Sequence, residues 1–264
     1  MSIGLIVLTY LAVGAVAGTM AGVFGIGGGL VIVPALVFAF AEQHISADIA
    51  MHLAVGTSLA TIAVTGASSA WGHIQRGSVK REWFFLLLPG LVLGAVVGVF
   101  VAGELSGGLL GTLFGVFLIV IGLRIVIGFQ PKLSQKAPTA VGMGVAGVVI
   151  GGVSALFGIG GGTLSVPWLS RCGAPLPLAV GTSAACGMPI ALVGATSFAV
   201  VGWGEPSLPA WSLGYIMWPA FICLAVTSVP FARFGVLLAH TLPPRLIRLA
   251  FSCVLLTVGL RFVL

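Results

Sequence analysis

Residues 83–103 carry no charged side chain, residues 3–22 carry none, and residues 107–128 are interrupted only by Arg124. Each run reaches the roughly 20 residues with which a helix crosses a hydrocarbon core. Across 264 residues there are 11 Lys and Arg and 5 Asp and Glu, 6% of the chain, where soluble domains carry about 25%. So few charges cannot coat a water-soluble surface of this size. The apolar runs are also too long and too numerous for one soluble core. They lack the short alternating strands of an outer-membrane barrel. The expected class is therefore all-α: a polytopic helical membrane protein lying in the lipid bilayer.

The net charge of +6 does not point to nucleic acid, because the basic residues stand singly between apolar runs and form no patch with aromatics. Cys172, Cys186, Cys223 and Cys253 show no Cys-x-x-Cys spacing. They indicate neither a disulfide framework nor a zinc site and read as small buried apolar residues. Met1-Ser2 leads into an apolar run without a basic region, so the first segment is expected to remain as a helix and not to be cleaved as a signal.

Inside these runs the chain repeats itself. Phe24-Gly25-Ile26-Gly27-Gly28-Gly29 returns as Phe157-Gly158-Ile159-Gly160-Gly161-Gly162, each followed by a proline, Pro34 and Pro167. Ala54-Val55-Gly56-Thr57-Ser58 returns as Ala179-Val180-Gly181-Thr182-Ser183, and Gly66-Ala67-Ser68-Ser69 as Gly194-Ala195-Thr196-Ser197. Pro89 pairs with Pro219, and Gly122-Leu123-Arg124 with Gly259-Leu260-Arg261. Five landmarks in one order mark a duplication, with repeats over 1–128 and 139–264 and a Pro- and Lys-containing linker over 129–138.

Helices are expected over about 3–22, 30–41, 50–72, 83–103 and 107–128, then over about 139–157, 161–172, 177–203, 211–239 and 244–264. Eight to ten of these are membrane segments. An odd number of crossings per repeat turns the second repeat upside down, the plan of many secondary transporters. Alternating sides along the chain places ten of the eleven basic residues on one face; Arg261 alone falls on the other. By the positive-inside rule that face is cytoplasmic and both termini lie outside. The helices flanking each glycine cluster read either as two full spans or as a hairpin that dips in and returns. The short 30–41 run favours helices broken at mid-depth by the two loops. Trp71, Trp83, Trp203, Trp211 and Trp218 fall near helix ends, where interfacial anchoring is expected.

Irregular backbone is costly in lipid unless protein surrounds it or it lines a polar cavity. A glycine loop leaves the amides at the start of the next helix free, and with the helix dipole they favour an anion. Lacking Cβ atoms, the glycines also let a ligand approach the backbone. The candidate binding residues are Gly25, Gly27, Gly28 and Gly29 with Gly158, Gly160, Gly161 and Gly162. Thr57, Ser58, Thr182 and Ser183 join them, with hydroxyls that either donate to an anion or bond back to the i−4 carbonyl. His52 stands near the start of its helix as a capping or interfacial histidine, or as a proton carrier. Arg233 is expected to snorkel to the cytoplasmic surface. The sixth glycine of a dinucleotide fingerprint is missing, as is the Gly-Lys-Ser/Thr end of a P-loop. No catalytic constellation or metal-ligand set is evident, so neither an enzyme, a cofactor nor a metal is expected.

Two Phe-Gly-Ile-Gly-Gly-Gly-x4-Pro segments, each followed by Val-Gly-Thr-Ser, resemble the TauE/SafE family of sulfite and organosulfonate exporters. The resemblance covers essentially the whole chain. It implies a bacterial or archaeal inner-membrane permease for small sulfur-containing anions, with a proton or sodium ion as candidate coupling ion. It leaves substrate, direction and oligomeric state open. The rival readings are an anion channel and a non-transporting membrane scaffold or assembly factor.

Overall fold

The computed structural model describes residues 3–24, 28–127, 138–241 and 243–264. Among these, ten helices follow one another: α1 (Ile3–Phe24), α2 (Gly29–Glu42), α3 (Ala47–Gln75), α4 (Arg81–Glu104), α5 (Gly107–Ile127), α6 (Ala140–Leu156), α7 (Gly162–Arg171), α8 (Leu176–Val201), α9 (Trp218–Thr241) and α10 (Pro244–Val263). Seven are long and apolar enough to cross a membrane; α2 and α6 are shorter apolar helices, and α7 has only 10 residues. Except for Pro138, the linker expected at 129–138 lies outside the described residues.

Local chemistry sets many of the boundaries. Ser46 caps α3 by accepting from the Asp48 amide, and Thr139 caps α6 by accepting from the Gly142 amide. Helices α3 and α7 stop at glycines in the left-handed region, Gly77 (φ 66°) and Gly173 (φ 90°). Beyond them the amides of Ser78 and Ala174 fold back to the carbonyls of His73 and Leu169, the 6→1 bond of a Schellman stop.

Glycines spaced four apart bring helices together. A Cβ on Gly90, Gly94 or Gly98 of α4 would lie 2.1–2.3 Å from a carbonyl oxygen of α6. Gly18 and Gly22 of α1 meet carbonyls of α9 in the same way, at 2.5 and 2.1 Å. In both pairs the contact advances in the same direction along the two helices, so α4 runs parallel to α6 and α1 parallel to α9. Lipid supplies no hydrophobic drive between helices, and such backbone-to-backbone approach is what holds them together. Helices α3 and α8 pack antiparallel, Leu59 meeting Gly194 and Gly66 meeting Met188; α5 and α10 do likewise through Gly115 and Gly259. Each of these four pairs joins a helix of the first five to one of the last five, so the halves interlock instead of lying side by side.

Helix α3 runs through the centre, with Ile49 to Leu59 buried throughout. His52 is buried and has its ring nitrogens 3.1 Å from the Asp48 carbonyl and 2.9 Å from that of Ala102, tying α3 to the end of α4. Its ring also stacks on Tyr215 at 5.1 Å.

Several expectations are corrected. The helix expected over 211–239 starts at Trp218, because 211–217 form a hairpin of two short strands, Ser212–Leu213 and Ile216–Met217. Trp211 (φ 68°) and Gly214 (φ 52°) adopt left-handed backbone, and a Cβ on Gly214 would lie 2.1 Å from the Ala199 carbonyl. Trp83 is no interfacial anchor; it is buried, with the Lys80 ammonium 3.7 Å from its ring centre. Cys253 is exposed on α10, whereas Cys186 is buried. The Gly66–Ser69 match to Gly194–Ser197 is out of register. Counted from Thr57-Ser58 and Thr182-Ser183 it differs by three residues, about 300° of turn along unbroken helices.

Candidate functional site

The two glycine segments meet. A Cβ on Gly29 would lie 2.4 Å from the Gly158 carbonyl oxygen and 2.8 Å from the Ile159 Cα. Ser58 of α3 donates to that same Gly158 carbonyl at 2.8 Å. Gly187 of α8 closes on Gly160, where a Cβ would be 2.4 Å from the carbonyl oxygen. Ser58 lies about 17 Å along a helix of 29 residues, roughly 43 Å at 1.5 Å per residue, so the two segments meet well inside the length of α3.

Below this junction a cavity of about 610 Å³ opens towards one end of the bundle. Gly28, Gly160, Gly162, Gly187 and Ser183 form its inner end; Thr65, Ser68, Ser69 and Ser228 line its wall; His73, Arg76 and Arg233 stand at its mouth. Among the described residues, no carboxylate lines it. Two guanidiniums facing a cavity with low-dielectric walls give it a positive field that concentrates anions.

The residues expected to bind are distributed unevenly. Gly28, Gly160, Gly162 and Ser183 line the cavity. Gly29, Gly158 and Gly161 build the junction behind it, and Gly25 and Gly27 lie outside the described residues. Thr57 accepts from the Met217 amide at 3.0 Å and Thr182 from the Lys80 amide at 2.9 Å. These two bonds dock the segments preceding α9 and α4 onto α3 and α8. Thr57, Thr182 and Ser58 thus bond to neighbouring elements, a role neither of the expected alternatives foresaw. The fourth hydroxyl, Ser183, is 2% exposed and has no hydrogen-bond partner.

It has company. Among the described residues, the other unpartnered buried side-chain atoms are Ser154 Oγ, Thr163 Oγ1, Ser165 Oγ and Trp168 Nε1, all on α6 and α7. A buried hydroxyl without a partner costs about 1–3 kcal/mol. Gly161 (φ 74°) caps α7 with no side-chain hydrogen bond. The amides of Leu164 and Ser165 bond to its carbonyl; those of Gly162 and Thr163, in the first turn, have no carbonyl within the helix to bond to.

Sequence reasoning missed the wall of the cavity. Ile62, Thr65, Ser69, Gly72 and Arg76 recur every three or four residues along α3 and all face the cavity. That helical spacing of small and polar residues was the available signal. Arg233, expected at the surface, is exposed and also stands at the mouth.

The family model of the sulfite exporter TauE/SafE matches residues 10–262. The chain belongs to the TauE/SafE family. It is 35% identical over 260 residues to a probable membrane transporter protein of Haemophilus influenzae, covering 98% of each chain. It is 30% identical over 177 residues to the probable membrane transporter protein YunE of Bacillus subtilis, covering 60% of this chain and 64% of that one. A third relative, MJ0441 of Methanocaldococcus jannaschii, bears the same description; it is 26% identical over 252 residues, with 95% and 92% covered. No solved structure matches significantly. This TauE/SafE member is a multi-pass membrane transporter and not an enzyme.

Proposed function

We propose that this protein is a secondary transporter of small sulfur-containing anions such as sulfite or organosulfonates, which bind at mid-membrane where the two glycine segments meet. The observation that carries the reading is the cavity that ends on Gly28, Gly160, Gly162 and Ser183, with Arg76 and Arg233 at its mouth and, among the described residues, no carboxylate on its walls. Guanidiniums draw an anion in, and hydroxyls and first-turn amides then replace its hydration. The positive helix end adds to this without placing a fixed charge at the site, so release stays possible. The arginine-lined mouth is the cytoplasmic one by the positive-inside rule, with both termini outside. At the opposite end α4 and α8 pack closely, a Cβ on Gly103 lying 2.7 Å from Val201 Cγ1, as a carrier open to one side at a time requires.

Purified protein in liposomes should carry at least one of sulfite, thiosulfate, sulfoacetate and taurine with saturable flux, and an imposed proton or sodium gradient should change that flux. Gly28→Leu adds a flexible side chain beside the cavity at a backbone conformation that accepts it (φ −68°), its Cβ 3.0 Å from the end of the Ile32 side chain. This variant should insert and fold normally yet lose at least nine-tenths of the flux. Wild-type protein that moves none of the four anions would overturn the sulfur-anion reading.

A further inference from the structure

The open cavity has a closed counterpart elsewhere in the molecule. Taking the chain as two inverted repeats, the motifs set the correspondence: 133 residues across the glycine loops, 125 across Thr57-Ser58 and Thr182-Ser183, and 130 across Pro89 and Pro219. Gly28 and Thr65, which face the open cavity, then correspond to Gly161 and Ile190. Gly22 and Ser69 correspond to Ala155 and Gly194; Arg233 and Arg76 correspond to Gly103 and Val201.

Each of these counterpart pairs is in contact. A Cβ on Gly161 would lie 2.8 Å from Ile190 Cδ1, one on Gly194 would lie 3.6 Å from the Ala155 Cβ, and one on Gly103 would lie 2.7 Å from Val201 Cγ1. The three contacts form a seam between α8 and the α4–α6–α7 side, running from the glycine junction to the end of the bundle remote from Arg76. Buried unpartnered hydroxyls mark its inner end. The Cβ position of Gly161 is 3.5 Å from Ser165 Oγ and 3.7 Å from Ser154 Oγ, and both serines are fully buried. Ser154 is the counterpart of Ala21, which lines the open cavity.

We propose that this seam is the second half of the substrate path, closed in this conformation, and that Ser154 and Ser165 are its hydroxyl donors to a small oxyanion. The two halves differ in chemistry. Arg76, Arg233 and His73 of the open mouth correspond to Val201, Gly103 and Phe198, so none of these three positions of the closed mouth is cationic. The open half attracts anions by charge, whereas the closed half holds them by hydrogen bonds alone. Opening it separates α8 from the α4–α6 pair, and the parallel α1–α9 pair closes on α3 in exchange.

The seam rests on the transporter reading but can be tested apart from it. In a chain with its four cysteines replaced by alanine, Gly103→Cys with Val201→Cys sets two Cβ atoms about 4.0 Å apart, since that is the distance from a Gly103 Cβ to the Val201 Cβ. This suits a disulfide. A third substitution, Ser154→Cys, reports access to a membrane-impermeant thiol reagent added from the seam's side, after the crosslink has formed or in its reduced absence. Reduced protein should label at Ser154→Cys, and the crosslink should slow labelling at least tenfold. In the two-cysteine protein the crosslink should also abolish anion flux, and reductant should restore it. Labelling equally fast in crosslinked and reduced protein would overturn the seam, whether or not any anion of the panel is carried. Crosslink-sensitive labelling without flux of those anions would keep the seam and sink the sulfur-anion reading.

Discussion

Ser58 and Ser183 occupy one position in two copies of the same motif, yet their hydroxyls meet different surroundings. Ser58 donates to the Gly158 carbonyl, whereas Ser183 faces the cavity without a partner. Their alanine variants should separate accordingly. Ser58→Ala leaves a buried carbonyl short of a donor and should lower stability by about 1–3 kcal/mol, visible as an earlier thermal transition in detergent. Ser183→Ala removes an atom that stabilises nothing in the empty protein. It should leave the melting temperature nearly unchanged while raising the half-saturation concentration roughly fivefold, the loss of about one hydrogen bond to substrate. A Ser183→Ala protein with lowered stability and unaltered transport would remove this residue from the site.

Among the elements, the glycine-zipped pairs explain why helices far apart in sequence are neighbours. Gly94→Ala would push a methyl to within 2.1 Å of the Val148 carbonyl. Overpacking of that kind costs about 1–3 kcal/mol and should lower the melting temperature by several degrees. Gly144→Ala, on the same helix pair but with nothing within 4 Å, should cause no loss. Equal behaviour of the two variants would show that α4 and α6 are not held by close backbone approach. The hairpin at 212–217 belongs to this scale too. Its strands are only two residues long, and no alternation of such length stands out in an apolar sequence. What specifies the hairpin is contact with α3 and α8, through Thr57 and the Ala199 carbonyl.

Taken whole, the molecule is polarised. Arg76 and Arg233 stand with His73 at one end of the bundle, at the mouth of the cavity. Replacing Arg76 and Arg233 together by glutamine should raise the half-saturation concentration for anions presented from that end. It should also flatten the dependence on ionic strength, since salt screens attraction by the exposed guanidiniums. An unchanged salt profile would mean that the positive mouth plays no part in capture.

Membrane class, the number and order of long helices and the doubled glycine segment follow from local chemistry, because uncharged runs, helix stops and repeated motifs are written in adjacent residues. Partnership is not local. That α1 lies against α9 and α4 against α6, that Thr57 and Thr182 dock distant amides while Ser183 is left unpaired, and that a cavity opens at one end while α8 packs against α4 and α6 at the other all depend on contacts between residues 29 to 214 positions apart. Such contacts arise only when the interlocked helices are packed together.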